Sequence, residues 1–361
     1  MAGREKIRRV FPGANTCRGF HSFYGNIIFH NEANRIFCLK GGPGTGKSSF
    51  MKSVASEFLN LGCDVECHHC SSDPNSLDAV VVKQAKAAIL DGTAPHIVDP
   101  ENPGAVDEIL DFGAFWDTKG LEQLKDRILE LNALKKGCFE SAYRYLMCAN
   151  LVQNDIEETL KPAVDKSKLS DLILDLKREL IDNAEKTGKA AGERHLFHSA
   201  LTPDGRVSFI HTLADDGIKC CLFQGADSKA KSDMLKYFAG EWLMKGFDVE
   251  VFHQPLNPDR VETVLVSGQS LLLTTDTGIK EKACRIVDLD IALTPEKLRA
   301  KAGMLEKDRE MVEALLQEAV VRLKAAKSMH GELEKLYTPR MGFEAVDELK
   351  AKVIDRIKEY L

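Results

Sequence analysis

Residues 41–48 read Gly-Gly-Pro-Gly-Thr-Gly-Lys-Ser, and they constrain this chain more than any other segment. They fit the spacing G-x-x-x-x-G-K-[ST] of a phosphate-binding loop. The apolar run 36–39 predicts a buried strand before the loop, and the apolar periodicity of 49–61 predicts a helix after it. Backbone N–H groups of such a turn surround anions. We therefore expect a nucleoside triphosphate here; an ordinary glycine-rich turn is the alternative.

The loop and one carboxylate supply the predicted site residues. Lys47 should reach the β- and γ-phosphates and act in catalysis, and the Ser48 hydroxyl should bind Mg²⁺. Asp91 ends the apolar run 87–90 and is the predicted second Mg²⁺ ligand and catalytic carboxylate, with Asp111 as the alternative. ATP and Mg²⁺ are the expected cofactors. The residues expected to bind the nucleotide are Gly41, Gly42, Pro43, Gly44, Thr45, Gly46, Lys47, Ser48 and Ser49.

The chain contains an internal duplication. A shift of 184 positions aligns residues 41–82 with 225–266 without a gap, and about 15 of the 42 positions are identical. A shift of 186 aligns the segment upstream, and a shift of 177 aligns the segments downstream, including Pro162 with Pro339. We therefore predict two tandem α/β domains of the P-loop NTPase type, each with a mostly parallel sheet. The first repeat spans 1–192 and the second repeat spans 193–361.

Each repeat should end in a helical hairpin, at about 117–185 and 295–361. Heptad spacing of apolar residues predicts a long helix in each, and the seam of the first is interrupted by Lys135. Shorter helices are expected over about 167–183 and 345–360. Packing between hairpins or onto the sheets is the plainer interpretation, and binding of a protein partner at the tips is the alternative.

The second loop, residues 225–232, departs from the pattern. Ala230 replaces the glycine before the lysine, Ser228 replaces Gly44, and Asp227 adds a negative charge, whereas Lys231 and Ser232 remain. A Cβ atom crowds the approach of a phosphate, and a carboxylate repels it. We expect this loop not to bind a triphosphate productively; weak phosphate binding is the alternative.

Other polar residues are weaker candidates. Cys67, His68, His69 and Cys70 alternate between the two faces of a predicted strand, which disfavours a shared zinc ion. His69, Asp73 and His96 could approach a nucleotide or could belong to ordinary loops. Arg194, Arg206 and Arg260 are available cations, but no sequence pattern assigns them to a site.

Composition excludes several classes of protein. The formal net charge of −6 argues against a generally basic nucleic-acid-binding surface. No apolar run approaches the roughly 20 residues of a membrane span, and residues 1–9 lack the apolar core of a secretory signal. Ten cysteines without a disulfide spacing indicate reduced thiols, so a cytoplasmic location is expected. Oligomeric state and base preference stay open.

Residues 40–49 (KGGPGTGKSS), residues 90–96 (LDGTAPH) and the duplication resemble a family of bacterial ATPase-like proteins with a duplicated P-loop NTPase domain. That resemblance implies ATP binding but no particular substrate. The leading hypothesis is a Mg²⁺-dependent ATPase acting as a switch or motor element, with one active and one degenerate site. A kinase that transfers the γ-phosphate to a small molecule or nucleotide, and a non-catalytic nucleotide-sensing scaffold, are the alternatives.

Overall fold

The computed structural model describes residues 7–94, 96–215 and 217–361. Pro95 of the segment 90–96, and residues 1–6 of the N-terminal stretch in which we expected no secretory signal, lie outside the described residues.

The first repeat contains one large sheet and a small hairpin. Six strands form the sheet in the order β1-β5-β6-β7-β4-β8, and β2 pairs with β3. All neighbours in the large sheet are parallel except those of β6, which runs antiparallel to β5 and β7. The strands are β1 (Ile7–Val10), β2 (Gly13–Thr16), β3 (Gly19–Ser22), β4 (Arg35–Lys40), β5 (Val65–Cys70), β6 (Asp73–Val82), β7 (Ala87–Asp91) and β8 (Asp107–Asp111).

The second repeat has the same topology. Its sheet has the order β9-β13-β14-β15-β12-β16, with β14 antiparallel to its neighbours, and β10 pairs with β11. The chain is therefore a mixed α/β protein with two mostly parallel sheets, as the sequence predicted, and each sheet has six strands. The strands are β9 (Glu193–Leu196), β10 (Ser199–Thr202), β11 (Gly205–Ser208), β12 (Lys219–Gln224), β13 (Val249–His253), β14 (Val261–Val266), β15 (Leu271–Thr274) and β16 (Ala283–Asp288).

Helices follow the strands in the same pattern in both repeats. α1 and α5 begin at or within the two loops, and α3 and α7 are 36 residues long each. None of the described helices is long and apolar enough to cross a membrane. The helices are α1 (Lys47–Asn60), α2 (Thr118–Glu122), α3 (Lys125–Leu160), α4 (Lys166–Lys177, continued by a π turn at Arg178–Asp182), α5 (Ser228–Met244), α6 (Pro295–Leu298), α7 (Ala302–Tyr337) and α8 (Phe343–Lys358).

The two repeats meet about a local two-fold axis. Phe11 and Phe197, which are equivalent residues, exchange backbone N–H···O=C bonds of 2.8 and 3.0 Å. Their buried rings pack with Ala14 and Ala200, which are also equivalent, and form a small core shared by both repeats. A pair of backbone bonds between equivalent residues requires two-fold symmetry, so the repeats associate like the subunits of an isologous dimer.

Four charged side chains lie beside this contact, Glu66 fully buried and the others partly buried, and we call them the junction cluster: Arg8, Glu66, Arg194 and Glu250. Arg8 donates two bonds of 2.8 Å to Glu250, and Arg194 contacts both glutamates. Burial disfavours ionisation of Glu66, but the charges of Arg194, Lys83 and Arg8 outweigh it and hold its pKa well below the usual range. The cluster is therefore ionised and joins the sheets of the two repeats.

The repeats exchange their last helices. α3 and α7 pack antiparallel, so that α8 crosses to the first sheet and α4 crosses to the second. Val346, Val353 and Ile357 of α8 belong to the core formed by α1 and β4–β7. Leu176 and Ile181 belong to the core around α5 and β12–β15. The sheets fall within the predicted ranges 1–192 and 193–361, but each apolar core contains residues from both repeats.

Ile357→Ala should destabilise the first sheet although residue 357 belongs to the second repeat. Ile357 is fully buried in the first core. Removing a buried isoleucine side chain costs about 2–5 kcal/mol. Relative to the unsubstituted chain, amide hydrogen exchange should accelerate more in β4–β7 than in β12–β15. Leu176→Ala is the matched control, and it should accelerate exchange more in β12–β15. Greater loss of protection in the second sheet of Ile357→Ala would contradict the exchange of helices.

Arg194→Met should lower the free energy of unfolding by about 1.5–3 kcal/mol, because buried Glu66 loses its closest cation but keeps Lys83 at 2.9 Å and Arg8 at 3.5 Å. Urea unfolding measures the change. Arg178→Met removes an exposed ion pair with Asp175 and should cost less than about 1 kcal/mol. Equal costs for the two variants would show that the junction cluster does not hold the repeats together.

Candidate functional site

The first loop connects the carboxyl end of β4 to the first residue of α1. Gly44 and Gly46 have φ of 67° and 86°, values that disfavour any residue with a side chain. A Cβ atom at Gly41 would lie 2.9 Å from Cβ of Phe112. The loop therefore needs glycine at these positions, and it places backbone N–H groups around the N-terminus of a 14-residue helix.

Lys47 spans the first loop. Its Nζ donates to the carbonyl oxygens of Gly41 and Gly42 at 2.7 and 2.8 Å, and it lies 3.6 Å from Oδ2 of Asp91. The Ser48 hydroxyl oxygen accepts a 3.0 Å bond from the N–H of Leu77 in β6. The predicted lysine and carboxylate therefore lie together at one end of the sheet, and Ser48 follows at the start of α1.

Asp91 and Asp111 occupy different environments. β4 lies between β7 and β8, so both aspartates end strands beside the loop. Asp111 is exposed and accepts a 2.8 Å bond from the N–H of Gly113, where it caps a short 3₁₀ helix. Its equivalent Asp288 makes the same contact with Asp290. Asp111 thus has a capping role that both repeats share. Asp91 accepts bonds from the N–H and the hydroxyl of Thr93 with Oδ1, and its Oδ2 lies beside Lys47.

The C-terminal end of α7, from the second repeat, covers the first loop. The Thr338 hydroxyl donates to the carbonyl oxygen of Gly44 at 3.2 Å, and the backbone of Glu334 lies against the same glycine. One and two turns earlier, His330 and Lys327 lie on the same face of the helix. Nζ of Lys327 is 2.8 Å from Oδ1 of Asp73. The site is therefore composed of the loop of one repeat and the helix of the other.

Charges converge on this composite site. Partial burial, together with the positive charges of Lys135 and Lys47, lowers the pKa of His330 to about 4. Burial raises the pKa of Glu334, and the negative charge of Asp73 adds to the shift. His330 is consequently a neutral imidazole near neutral pH. Lys135, which interrupts the predicted heptad seam, is the residue of α3 whose charge reaches the site.

The second loop contains its own anions. Oδ1 of Asp227 accepts a 2.9 Å bond from the N–H of Ala230 and caps α5, and Oδ1 of Asp290 accepts a 2.8 Å bond from the N–H of Ala226. The equivalent positions in the first repeat are Pro43 and Gly113, which have no acceptor side chain. Carboxylates therefore accept hydrogen bonds from two loop amides in the second repeat, and the equivalent positions of the first repeat carry no carboxylate.

A cavity of about 190 Å³ adjoins the second loop. It is smaller than the roughly 300–1,000 Å³ of usual ligand pockets. Thr275 stands there at the position equivalent to Asp91, so the carboxylate at that position is missing, although Glu262 lines the same cavity as Lys231. The residues lining the cavity are Arg206, Ser228, Lys231, Gln254, Val261, Glu262 and Thr275. The absence of a carboxylate equivalent to Asp91 disfavours Mg²⁺ binding there.

The histidines and cysteines of β5 do not reach the first loop. His69 is buried in the contact between the repeats, where its Nδ1 donates to the carbonyl oxygen of Pro74 at 2.8 Å and its ring packs on Phe209. Nε2 of His68 bonds to Glu66 of the junction cluster at 2.9 Å. All ten cysteines are free thiols. Among these candidates only Asp73, through Lys327, is part of the composite site.

His96 lies in a buried polar group near Asp91, whose charge acts on Asp78 and Tyr24 of this group. Its ring stacks on Tyr24 with centroids 4.7 Å apart, and its Nε2 is 3.9 Å from Oδ1 of Asp78. Burial raises the pKa of the Asp78 carboxyl. Asp78 was not among the residues that the sequence indicated, because one acidic residue within an apolar strand has no motif to mark it.

The three unassigned arginines serve other contacts. Arg194 belongs to the junction cluster, and Arg260 pairs with Glu157 of α3. Arg206 pairs with Glu262 and Asp276, whose oxygens lie within 4.8 Å of a ring nitrogen of His198. That His–Glu–Asp arrangement has suitable ligand types for a metal ion, but the guanidinium of Arg206 already neutralises the carboxylates.

Comparison with known protein families, with curated proteins and with solved structures finds no match to this chain. Those comparisons therefore leave the resemblance to ATPase-like proteins as a prediction.

The free energy of unfolding should fall as the pH drops from about 6.5 towards 4. Burial lowers the pKa of His68, His69 and His253 to about 4. The unfolded chain therefore binds protons in this range that the folded chain does not, and each histidine adds a slope of up to about 1.4 kcal/mol per pH unit. Urea unfolding at pH 7.5 and 5.5 measures the difference.

A double variant, His69→Asn with His253→Asn, tests the origin of this pH dependence. The asparagine amide can replace the ring N–H that donates to Pro74 or Pro258. The difference in stability between pH 7.5 and 5.5 should shrink in this variant. An undiminished difference would show that other groups cause the acid sensitivity.

Proposed function

We propose that the chain binds ATP with Mg²⁺ at the first loop and hydrolyses it there, with one working site per chain. The observation that carries this proposal is the contrast between the two loops. The first combines a glycine-rich turn without loop carboxylates, Lys47 and, 3.6 Å away, Asp91. In the second, Asp227 and Asp290 already accept loop N–H bonds, and Asp91 is replaced by Thr275.

The residues of the first site fit a bound Mg-ATP. The loop amides and the N-terminus of α1 would hold the phosphate oxygens. Ser48 and Asp91 offer the hydroxyl and carboxylate oxygens that Mg²⁺ prefers. When bound, Mg²⁺ neutralises negative charge on the β- and γ-phosphates. The positive φ angles of Gly44 and Gly46, and the tight approach of Gly41 to Phe112, support this assignment, because a phosphate-binding turn needs glycine at such positions.

Hydrolysis would need little covalent participation by the protein. The bond between the γ-phosphorus and the β–γ bridging oxygen breaks, and its electron pair stays on ADP. A bond from a water oxygen to phosphorus forms, and the water releases a proton to solvent. Lys47 and the loop amides stabilise the negative charge that develops on the phosphate oxygens. Slow turnover coupled to movement of α7 would suit a switch or motor element in the cytoplasm.

Lys47→Ala should lower phosphate release from Mg-ATP on the order of 100-fold or more, because it removes a cation from the developing charge. Lys231→Ala is the matched control, since Lys231 makes the equivalent 2.7 Å bond to its own loop and should change the rate less than about threefold. Steady-state phosphate release measures both.

Each other outcome has a distinct meaning. Equal losses in the two variants would overturn the assignment of a single working site. Binding of a fluorescent ATP analogue without phosphate release would favour the nucleotide-sensing scaffold over the ATPase. Absence of both binding and release would overturn the proposed function.

A further inference from the structure

The α7 face that covers the first loop has a counterpart on α3. A shift of 177 places Lys327 on Asn150, His330 on Gln153 and Glu334 on Glu157. Just as α7 covers the first loop, α3 packs near the second loop, where Glu157 pairs with Arg260. Each composite site therefore consists of one loop and the long helix of the other repeat, and the two helix faces can be compared directly.

At both sites the long helix contacts the equivalent turn, through an ion pair at the first site and through neutral amides at the second. At the first site Lys327 pairs with Asp73 at 2.8 Å. At the second, the amide of Asn257, which is equivalent to Asp73, donates to Asn150 at 3.0 Å. A neutral amide pair thus suffices to hold helix and turn together. The ion pair is present only at the site with the glycine-rich loop and Asp91, and the amide pair shows that packing does not require a charge there.

Asp73 lies close to the phosphate end of the first site. Its Oδ2 accepts a 2.6 Å bond from the hydroxyl of Ser76. The next residue, Leu77, donates its N–H to Ser48, the predicted Mg²⁺ ligand. Lys327 is therefore anchored beside the turn that contacts Ser48. Its flexible side chain carries three donors, so it can contact Asp73 and a phosphate oxygen together or in turn.

We propose that Lys327 is a catalytic residue supplied by the second repeat, which contacts the γ-phosphate of the nucleotide on the first loop. The proposal rests on the function proposed above. Asp73 holds the ammonium group near the site, and the γ-phosphate, with its greater negative charge, attracts it during hydrolysis. Lys327 then stabilises the charge on the γ-phosphate oxygens in the transition state, the task that an arginine finger performs in other phosphoryl-transfer enzymes.

The test uses a variant whose new contact between helix and turn already occurs at the second site. Asp73→Asn with Lys327→Asn reproduces the amide pair of Asn257 and Asn150. Phosphate release should fall by about 100-fold or more. We expect a smaller loss than the roughly 10³–10⁵-fold effect of an arginine finger, because lysine is a single point charge. Affinity for Mg-ATP should change less than about threefold. Lys327→Arg, which keeps the charge, should recover part of the rate.

Lys324→Met is the matched control, because Lys324 is an exposed lysine one turn earlier on α7. It should leave both phosphate release and binding unchanged. Turnover within threefold of wild type in the double variant would overturn the role of Lys327 and leave the ATPase intact. A wild-type chain that binds no Mg-ATP would overturn the proposed function itself.

A second readout does not depend on turnover. Mg-ADP with aluminium fluoride mimics the transferred phosphoryl group, and the wild-type chain should bind it more tightly than Mg-ADP alone. The asparagine pair should lose most of that gain while its affinity for Mg-ADP stays the same. An undiminished gain would show that Lys327 does not contact the γ-phosphate.

Discussion

The antiparallel packing of α3 against α7 is the constraint on which the rest of the structure depends. Because the two helices run in opposite directions over 36 residues each, each ends beside the loop of the opposite repeat. The following helix must then pack on the opposite sheet, which places Ile357 in the first core and Leu176 in the second. The reciprocal bonds of Phe11 and Phe197, and the junction cluster, hold the sheets in the orientation that this exchange requires.

The two loops differ in the groups that can accept hydrogen bonds from their backbone N–H groups. A strand–loop–helix unit presents backbone N–H groups whether or not a nucleotide binds, and unpaired N–H groups that are buried are costly. The second loop meets this requirement with Asp227 and Asp290. The first has Pro43 and Gly113 at those positions. An internal carboxylate and a phosphate would compete for the same amides, so under the function proposed above the second loop keeps the fold without binding the nucleotide.

Much of this arrangement could be predicted from the sequence, because local patterns carry it. The glycine spacing, the strand before it and the shift of 184 residues predicted two similar sheets, and the heptad seams predicted the long helices. The exchange of helices was not predictable, since an apolar face on α8 does not specify which of two similar cores it covers. His69 shows the same limit, because adjacency in sequence to the loop region does not reveal burial against Phe209. Lys327 lies in the other repeat, and only the crossing of α7 brings it to Asp73.

The sequence differences between equivalent positions are grouped by composite site and not by repeat. The first repeat contains the intact loop, yet its α3 presents Asn150 and Gln153. The second repeat contains the degenerate loop, yet its α7 presents Lys327 and His330. Gly46, Asp91, Asp73 and Lys327 come from both repeats and lie at one site, and their equivalents Ala230, Thr275, Asn257 and Asn150 lie together at the other. If each repeat had diverged as an independent unit, the loop that lacks the glycine and the long helix that lacks the lysine would belong to the same repeat. Their division between repeats is what we expect if the residues of α7 and the first loop act on one bound ligand, because a helix face without a triphosphate beside it has no need of positive charge.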